Sequence, residues 1–123
     1  MENQEFKKQL IARAFNLAKD AFRLVDKFPN KRSTQVIANQ LLRAISSIGA
    51  NIVEAQAASS RRDFANFLNH ALKSGNESKF WLALAKEIDE NLNLEIDKNL
   101  KETDELVRIL GSCLATMKGS KKL

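Results

Sequence analysis

The stretch Gln40-Leu41-Leu42-Arg43-Ala44-Ile45-Ser46-Ser47-Ile48-Gly49-Ala50-Asn51-Ile52-Val53-Glu54-Ala55 decides the fold. Leu41, Ala44, Ile45, Ile48, Ile52 and Ala55 recur every three or four residues, which is one face of an α-helix. Ile37 extends that face toward the N-terminus. Gly49 sits inside the pattern, where it costs about 1 kcal/mol relative to Ala. A close helix crossing or a small bend accounts for it.

Upstream, Phe28-Pro29-Asn30-Lys31-Arg32-Ser33 is a break. Pro29 lacks a backbone donor and disfavours helix at the residue before it. Either Asn30 or Ser33 can cap the helix that follows. Before the break, Phe6, Leu10, Ala14, Leu17, Ala21, Leu24 and Phe28 form another stripe. Phe15 and Phe22 lie off it, so this helix is expected to touch two neighbours or a second subunit. Downstream, Ser60-Arg61-Arg62-Asp63 has capping-box spacing. Phe64, Phe67, Leu68, Ala71, Leu72, Gly75, Ser78, Trp81, Leu82, Ala85 and Ile88 then give a long third stripe. Its small residues alternate with large ones, as interlocking helices need. The segment from Asp89 to Asn93 is polar. Asp97 can cap a last helix carrying Leu100, Leu106, Val107, Leu110, Leu114 and Met117, with Gly111 a local interruption and Gly119 a stop signal. The basic tail 118–123 is expected to fray.

The expected architecture is all-α: one domain, 1–123, an up-down-up-down antiparallel four-helix bundle with helices at approximately 4–28, 34–56, 61–88 and 97–117. The first three helices would be roughly 35 to 42 Å long at 1.5 Å per residue, the last shorter. Of the 123 residues, 44% are hydrophobic, which argues against intrinsic disorder. A single cysteine forms no internal disulfide framework. No run reaches the roughly 18 apolar residues of a membrane span, and the N-terminal residues lack a signal-peptide core, so a cytoplasmic protein without membrane association is expected.

The central run, together with Phe28-Pro29, Arg61-Arg62, Asp63-Phe64, Phe67-Leu68, Ala71, Ser74 and Glu77, resembles the four-helix-bundle proteins encoded by intervening sequences in bacterial 23S ribosomal RNA genes. The resemblance covers roughly Leu10 to Met117. Its sharpest part is the Gln-Leu-x-Arg-Ala…Ser-Ile…Asn-Ile…Glu run from Gln40 to Glu54. Gly49 stands where the family usually has Pro, Ala55 where it has Gly, and Leu42 where it has the first of two adjacent arginines. Those proteins share a fold with the accessory variability determinant of diversity-generating retroelements. The resemblance implies a homopentamer around a central channel. It also implies, for the retroelement branch, a basic barrel that binds nucleic acid and a nucleic-acid-processing partner, a reverse transcriptase. The intervening-sequence branch has no established biochemical role.

Enzyme chemistry fits the residues poorly. His70 is the one histidine and Cys113 the one cysteine. A di-iron bundle needs two Glu-x-x-His units, and Phe67 stands three residues before His70. Arg62 lies too far before His70 for a helical ribonuclease of the Arg-x₄₋₆-His type. Phosphate loops and zinc spacings are absent. No catalytic residue, metal or cofactor is expected. On the second helix, Gln40, Arg43, Asn51 and Glu54 interrupt an apolar segment. Asn51 and Glu54, three apart, can act together. Arg43 can meet Glu77 on the third helix. A structural network fixing helix register and a subunit interface is one reading; a lined channel or partner site is the other.

Charge is uneven. Lys plus Arg number 20 against 15 Asp plus Glu, a net charge of +5. Residues 1–32 carry eight basic and four acidic residues, Lys86 to Glu105 three and eight, and Leu106 to Leu123 four and none. The basic candidates for a nucleic-acid surface are Lys19, Arg23, Lys27, Lys31, Arg32, Arg61 and Arg62. Phosphates can use such a footprint, or it is a mixed solvated surface with complementary subunit charges. Because the Phe residues and Trp81 fit core stripes, no aromatic platform for single strands is expected. Binding would be backbone-directed. The expectation is a non-enzymatic oligomeric helical scaffold that binds structured RNA or DNA with little base specificity. The alternative is a structural or protein–protein interaction module.

Overall fold

The computed structural model describes residues 4–122. They form four α-helices, α1 (Gln4–Val25), α2 (Arg32–Gln56), α3 (Arg61–Ala85) and α4 (Asn93–Lys122), with a 3₁₀ turn at Glu90–Leu92 before α4. α2 packs on α1 and α3, and α4 packs on α3 and α1, so each helix has two neighbours in one bundle.

The helix ends follow local chemistry. α1 stops at Val25 rather than 28, because the chain tightens before Pro29: Lys27 and Phe28 donate to the carbonyls of Leu24 and Val25. α2 starts at Arg32 with Lys31 at the cap, in extended backbone. Neither Asn30 nor Ser33 caps it. Instead Thr34, 4% exposed, accepts from the Lys31 N–H at 3.2 Å and donates to the Pro29 carbonyl. At α3, Ser60 Oγ accepts from the Asp63 N–H at 3.0 Å. The Asp63 carboxylate reaches the Ser59 N–H at 3.3 Å, one residue earlier than a full capping box would have it. α3 ends at Ala85 rather than 88; Lys86, Glu87 and Ile88 bond to carbonyls three residues back.

α4 departs furthest from the periodicity. It starts at Asn93, not Asp97, and runs through Gly111 and Gly119 to Lys122, which makes it the longest helix at 30 residues. The expected basic tail 118–123 is thus helical as far as Lys122, and residue 123 lies outside the described residues. Ile96, Asn99, Thr103, Leu106 and Leu110 form its buried stripe, which Leu92 of the preceding turn extends. Two of those positions are polar, which hides the period. Their donors stay inside the helix: Asn99 Nδ2 donates to the Glu95 carbonyl at 2.9 Å and Thr103 Oγ1 to the Asn99 carbonyl at 2.7 Å.

The core contains the expected stripes: Leu10, Ala14, Leu17, Ala21 and Leu24 of α1, Leu41, Ala44, Ile45, Ile48, Ile52 and Ala55 of α2, and Leu68, Ala71, Gly75, Ser78, Leu82 and Ala85 of α3. Each large aliphatic side chain so buried contributes about 1.5–3 kcal/mol. α2 is the one described helix long and apolar enough, by length and composition, to cross a membrane. Its stripe is buried in the bundle. Small residues set the closest contacts. A methyl group built on Gly75 would lie 2.5 Å from Val107 Cγ2 and 3.8 Å from Ile48 Cδ1; one on Gly49 would lie 3.3 Å from Ala14 Cβ. Gly49 therefore serves a close crossing.

Ion pairs lace α4 to its neighbours. Arg13 of α1 forks onto Glu102 (2.9 and 2.8 Å) and reaches Glu105 (2.6 Å). The hydrogen bonds to Glu102, then Glu105, hold its guanidinium well above the usual arginine range. Lys27 meets Glu95 at 2.7 Å, Lys79 meets Asp104 at 3.0 Å, and Lys86 meets Asp97. Hydrogen bonds from Lys79 and then Arg108 hold the Asp104 carboxyl below its ordinary value. A carboxyl depressed in the folded state stabilises above its unfolded pKa and loses that contribution as pH falls.

Two outcomes follow from this packing. Gly75→Ala is expected to lower the melting temperature, because overpacking costs about 1–3 kcal/mol against a helix-propensity gain of about 1. Gly111→Ala, whose new methyl would sit 3.7 Å from Leu72 Cδ1, is expected to raise it. Thermal melts of the two variants check this contrast. Asp104→Asn is expected to lower stability at neutral pH, with the deficit shrinking as pH falls below about 4. Denaturant titrations of both proteins across that range measure it.

Candidate functional site

The seven basic candidates are all exposed. Lys19 and Arg23 lie on the outer side of α1. Lys27 follows α1 and is engaged by Glu95. Lys31 and Arg32 open α2, whereas Arg61 and Arg62 open α3 beyond the other end of α2. The 25 residues of α2 span about 37 Å at 1.5 Å per residue, so these two basic pairs do not share one patch. Arg61 Nη2 donates to the Met117 carbonyl at 3.4 Å. Among the described residues, Lys19, Arg23, Lys31, Arg32 and Arg62 have no carboxylate partner.

The polar residues of α2 form a different network from the expected one. Asn51 Nδ2 donates to the Ser47 carbonyl at 2.8 Å and to Ser47 Oγ at 2.9 Å. Ser74 Oγ donates to Ser47 Oγ at 3.0 Å, which ties α3 to α2 beside the Gly75 contact. Glu54 is not part of it. Arg43 and Glu77 do not pair: Glu77 accepts from Trp81 Nε1 at 3.0 Å, four residues along its own helix. Arg43 and Glu54 are exposed and Gln40 half-buried; none makes a side-chain hydrogen bond among the described residues. The missed members are Ser47 and Ser74. The spacing of Ser47, four before Asn51, was the available signal.

Exposed apolar residues fall on two faces. Between α1 and α2 lies a groove of about 570 Å³, lined chiefly by Ile11, Phe15, Phe22, Ala50 and Val53, with Lys19 and Arg23 at its rim. Phe15 is 64% and Phe22 51% exposed. The second face is on α3, where Phe80, 59% exposed, stands edge-on to Trp81 with ring centroids 5.0 Å apart. Leu84 lies one turn further along. Phe80 corrects the reading that all the remaining aromatic residues belong to core stripes. It lies off the α3 stripe as Phe15 lies off that of α1.

Reactive groups are sparse in these regions. His70 is exposed on α3. Cys113 is half-buried, and desolvation pushes its thiol pKa up, which suppresses the thiolate a nucleophile needs. Among the described residues no three His, Cys, Asp or Glu side chains converge to hold a metal ion. A cleft of about 250 Å³ between α1 and α4 is lined by groups of both signs, including Arg13, Asp20, Lys98 and Glu102.

The family model for the 23S rRNA-intervening sequence protein matches residues 7–112. Among solved structures, the chain is similar to a protein of unknown function from the S23 ribosomal protein family of Bacteroides thetaiotaomicron. The two are 32% identical, with a TM-score of 0.78; the match covers 85% of this chain and 97% of that one. No curated protein matches. A model match from Lys7 into α4, together with a shared four-helix architecture, places this chain in the 23S rRNA-intervening sequence protein family.

Proposed function

We propose that this protein is a non-enzymatic, self-assembling helical scaffold that binds RNA or DNA through the phosphate backbone. One observation carries the reading. The acidic run of α4 is engaged within the chain by Arg13, Lys27, Lys79 and Lys86, and the net positive charge is left on side chains without carboxylate partners. A surface with free cations attracts polyanions with a strong salt dependence and little base preference. Membership of a family named for an rRNA intervening sequence is consistent with a nucleic-acid partner.

The bundle is read as up-down-up-down and antiparallel. Lys79 of α3 and Lys86 just after it meet Asp104 and Asp97 of α4, and Arg13 of α1 and Lys27 just after it meet Glu102 and Glu95, so residue numbers rise along one helix as they fall along the other. Assembly uses the two uncovered apolar faces. The α1/α2 face is rimmed by Lys19 and Arg23; the α3 face carries Phe80 and Leu84 near Glu77 and Glu87. Apolar surfaces of opposite charge bias suit head-to-tail contact, which gives a ring when the rotation between subunits closes. The family resemblance sets the number of copies at five, a homopentamer with about +25 net charge. Kinship with the retroelement accessory protein belongs to the same reading, and a neighbouring reverse-transcriptase gene would support it.

A protein–protein interaction module is the second reading, favoured by the same Phe15 and Phe22 face. Size-exclusion chromatography with light scattering, at about 0.15 M salt with and without a structured RNA, separates the two. A particle near five times 13.8 kDa that shifts with RNA is expected. An oligomer that ignores RNA selects the second reading, and a monomer overturns assembly. Phe15→Glu with Phe22→Glu is expected to reduce the particle mass while helical content persists; an unchanged mass overturns the assignment of that face.

A further inference from the structure

The bundle is electrically polar along its length, and the polarity comes from α4. Its carboxylates Glu95, Asp97, Glu102, Asp104 and Glu105 all lie in its first half, and from Leu106 onward the chain has no acidic residue. Among the described residues, the ion pairs from α4 to the other segments therefore fall between Glu95 and Glu105. The second half offers no carboxylate to the bases beside it.

Those bases converge on one end. Arg61, at the start of α3, donates to the Met117 carbonyl in the last turns of α4. Lys7, in the first turn of α1, places its ammonium 5.8 Å from the centroid of the Phe64 ring in the first turn of α3. Lys8, Arg62 and Lys118 adjoin these contacts and are exposed. Against them stand Glu5, Glu54 and Asp63, and Asp63 is turned to the backbone N–H and hydroxyl of Ser59. At the opposite end, Lys27, Lys31, Arg32, Lys86 and Lys98 are outnumbered by Asp26, Glu87, Asp89, Glu90, Glu95 and Asp97.

We infer that the phosphate-binding surface is this one end of the bundle, built by Lys7, Lys8, Arg61, Arg62 and Lys118, and that Lys31 and Arg32 lie outside it. The inference rests on the nucleic-acid reading above and narrows it to a site. A bundle end two helices wide, roughly 20 Å across, spans about a dozen duplex phosphate charges. Carboxylates at the other end repel the same polyanion, so a duplex is held by the end rather than along the side. The ligand chemistry is the sugar–phosphate backbone, which RNA and DNA duplexes share.

The test compares two variants that lose the same four charges. One carries Lys8→Gln, Arg61→Gln, Arg62→Gln and Lys118→Gln. The other carries Lys27→Gln, Lys31→Gln, Arg32→Gln and Lys98→Gln. Binding is measured by fluorescence anisotropy on an RNA and a DNA duplex of about 20 base pairs and the same sequence, from about 0.05 to 0.2 M salt. The first variant is expected to lose at least about tenfold in affinity, and its log–log salt slope to fall by about 3 to 4. The second is expected to stay within about threefold of the unsubstituted protein. Equal losses mean that net charge alone matters and overturn the inference, as does a larger loss in the second variant. Absence of binding by the unsubstituted protein overturns instead the nucleic-acid reading on which the inference rests. Discrimination between RNA and DNA of more than about tenfold overturns backbone recognition. Circular dichroism checks folding; if the first quadruple variant unfolds, Arg62→Gln with Lys118→Gln carries the comparison.

Discussion

Close approach of backbones at small residues governs this bundle. At Gly75, α3 comes so near α4 that a methyl group would collide with Val107, and Ile48 of α2 lies just beyond. Ala71, Ser78 and Ala85 continue that seam, all fully buried. Large aliphatic side chains from α2 and α4 then fill the space that small ones on α3 leave open. Three helices are thus locked in register by one column of small side chains. Ser47, Ser74 and Asn51 sit beside it and supply the directional part of the α2–α3 contact.

α1 is held differently. It crosses α2 closely at Ala14 and Gly49, and against α4 it relies on Arg13 and Lys27 reaching the carboxylates of α4. The ion pairs do more for charge distribution than for stability, since partly exposed pairs contribute little individually. By engaging the acidic half of α4, they leave an unbalanced basic end at the starts of α1 and α3. The outer side of α1 remains uncovered, with Phe15 and Phe22 in water. One helix thereby carries a core stripe, an ion-pair edge and an apolar outer face.

Much of the fold was legible because apolar periodicity is a local property of the chain. The stripes of α1, α2 and α3, the break at Pro29 and the Ser60 cap follow from residue types and spacing alone. α4 was misread for a physical reason. Asn99 and Thr103 occupy buried stripe positions, their donors satisfied by carbonyls one turn back, so hydropathy loses the period there. The cap of α2 was missed because Thr34 closes that turn from the third helical position, reaching back to Lys31 and Pro29.

The candidate surface was less legible. Lys31, Arg32, Arg61 and Arg62 read alike as sequence, but only packing decides which carboxylates stand beside them. The same is true of Glu77, which the helix turns toward Trp81 rather than Arg43. Sequence by itself determined that this chain forms helices, which faces are apolar and how charge is distributed along it, since each depends on residues a few positions apart. Tertiary structure alone decided which charges are neutralised, that Phe80 stays uncovered beside Trp81 and which end of the bundle is basic. Those properties depend on distances between residues far apart in sequence, such as Arg61 and Met117 or Lys27 and Glu95, that only the packing of helices brings together.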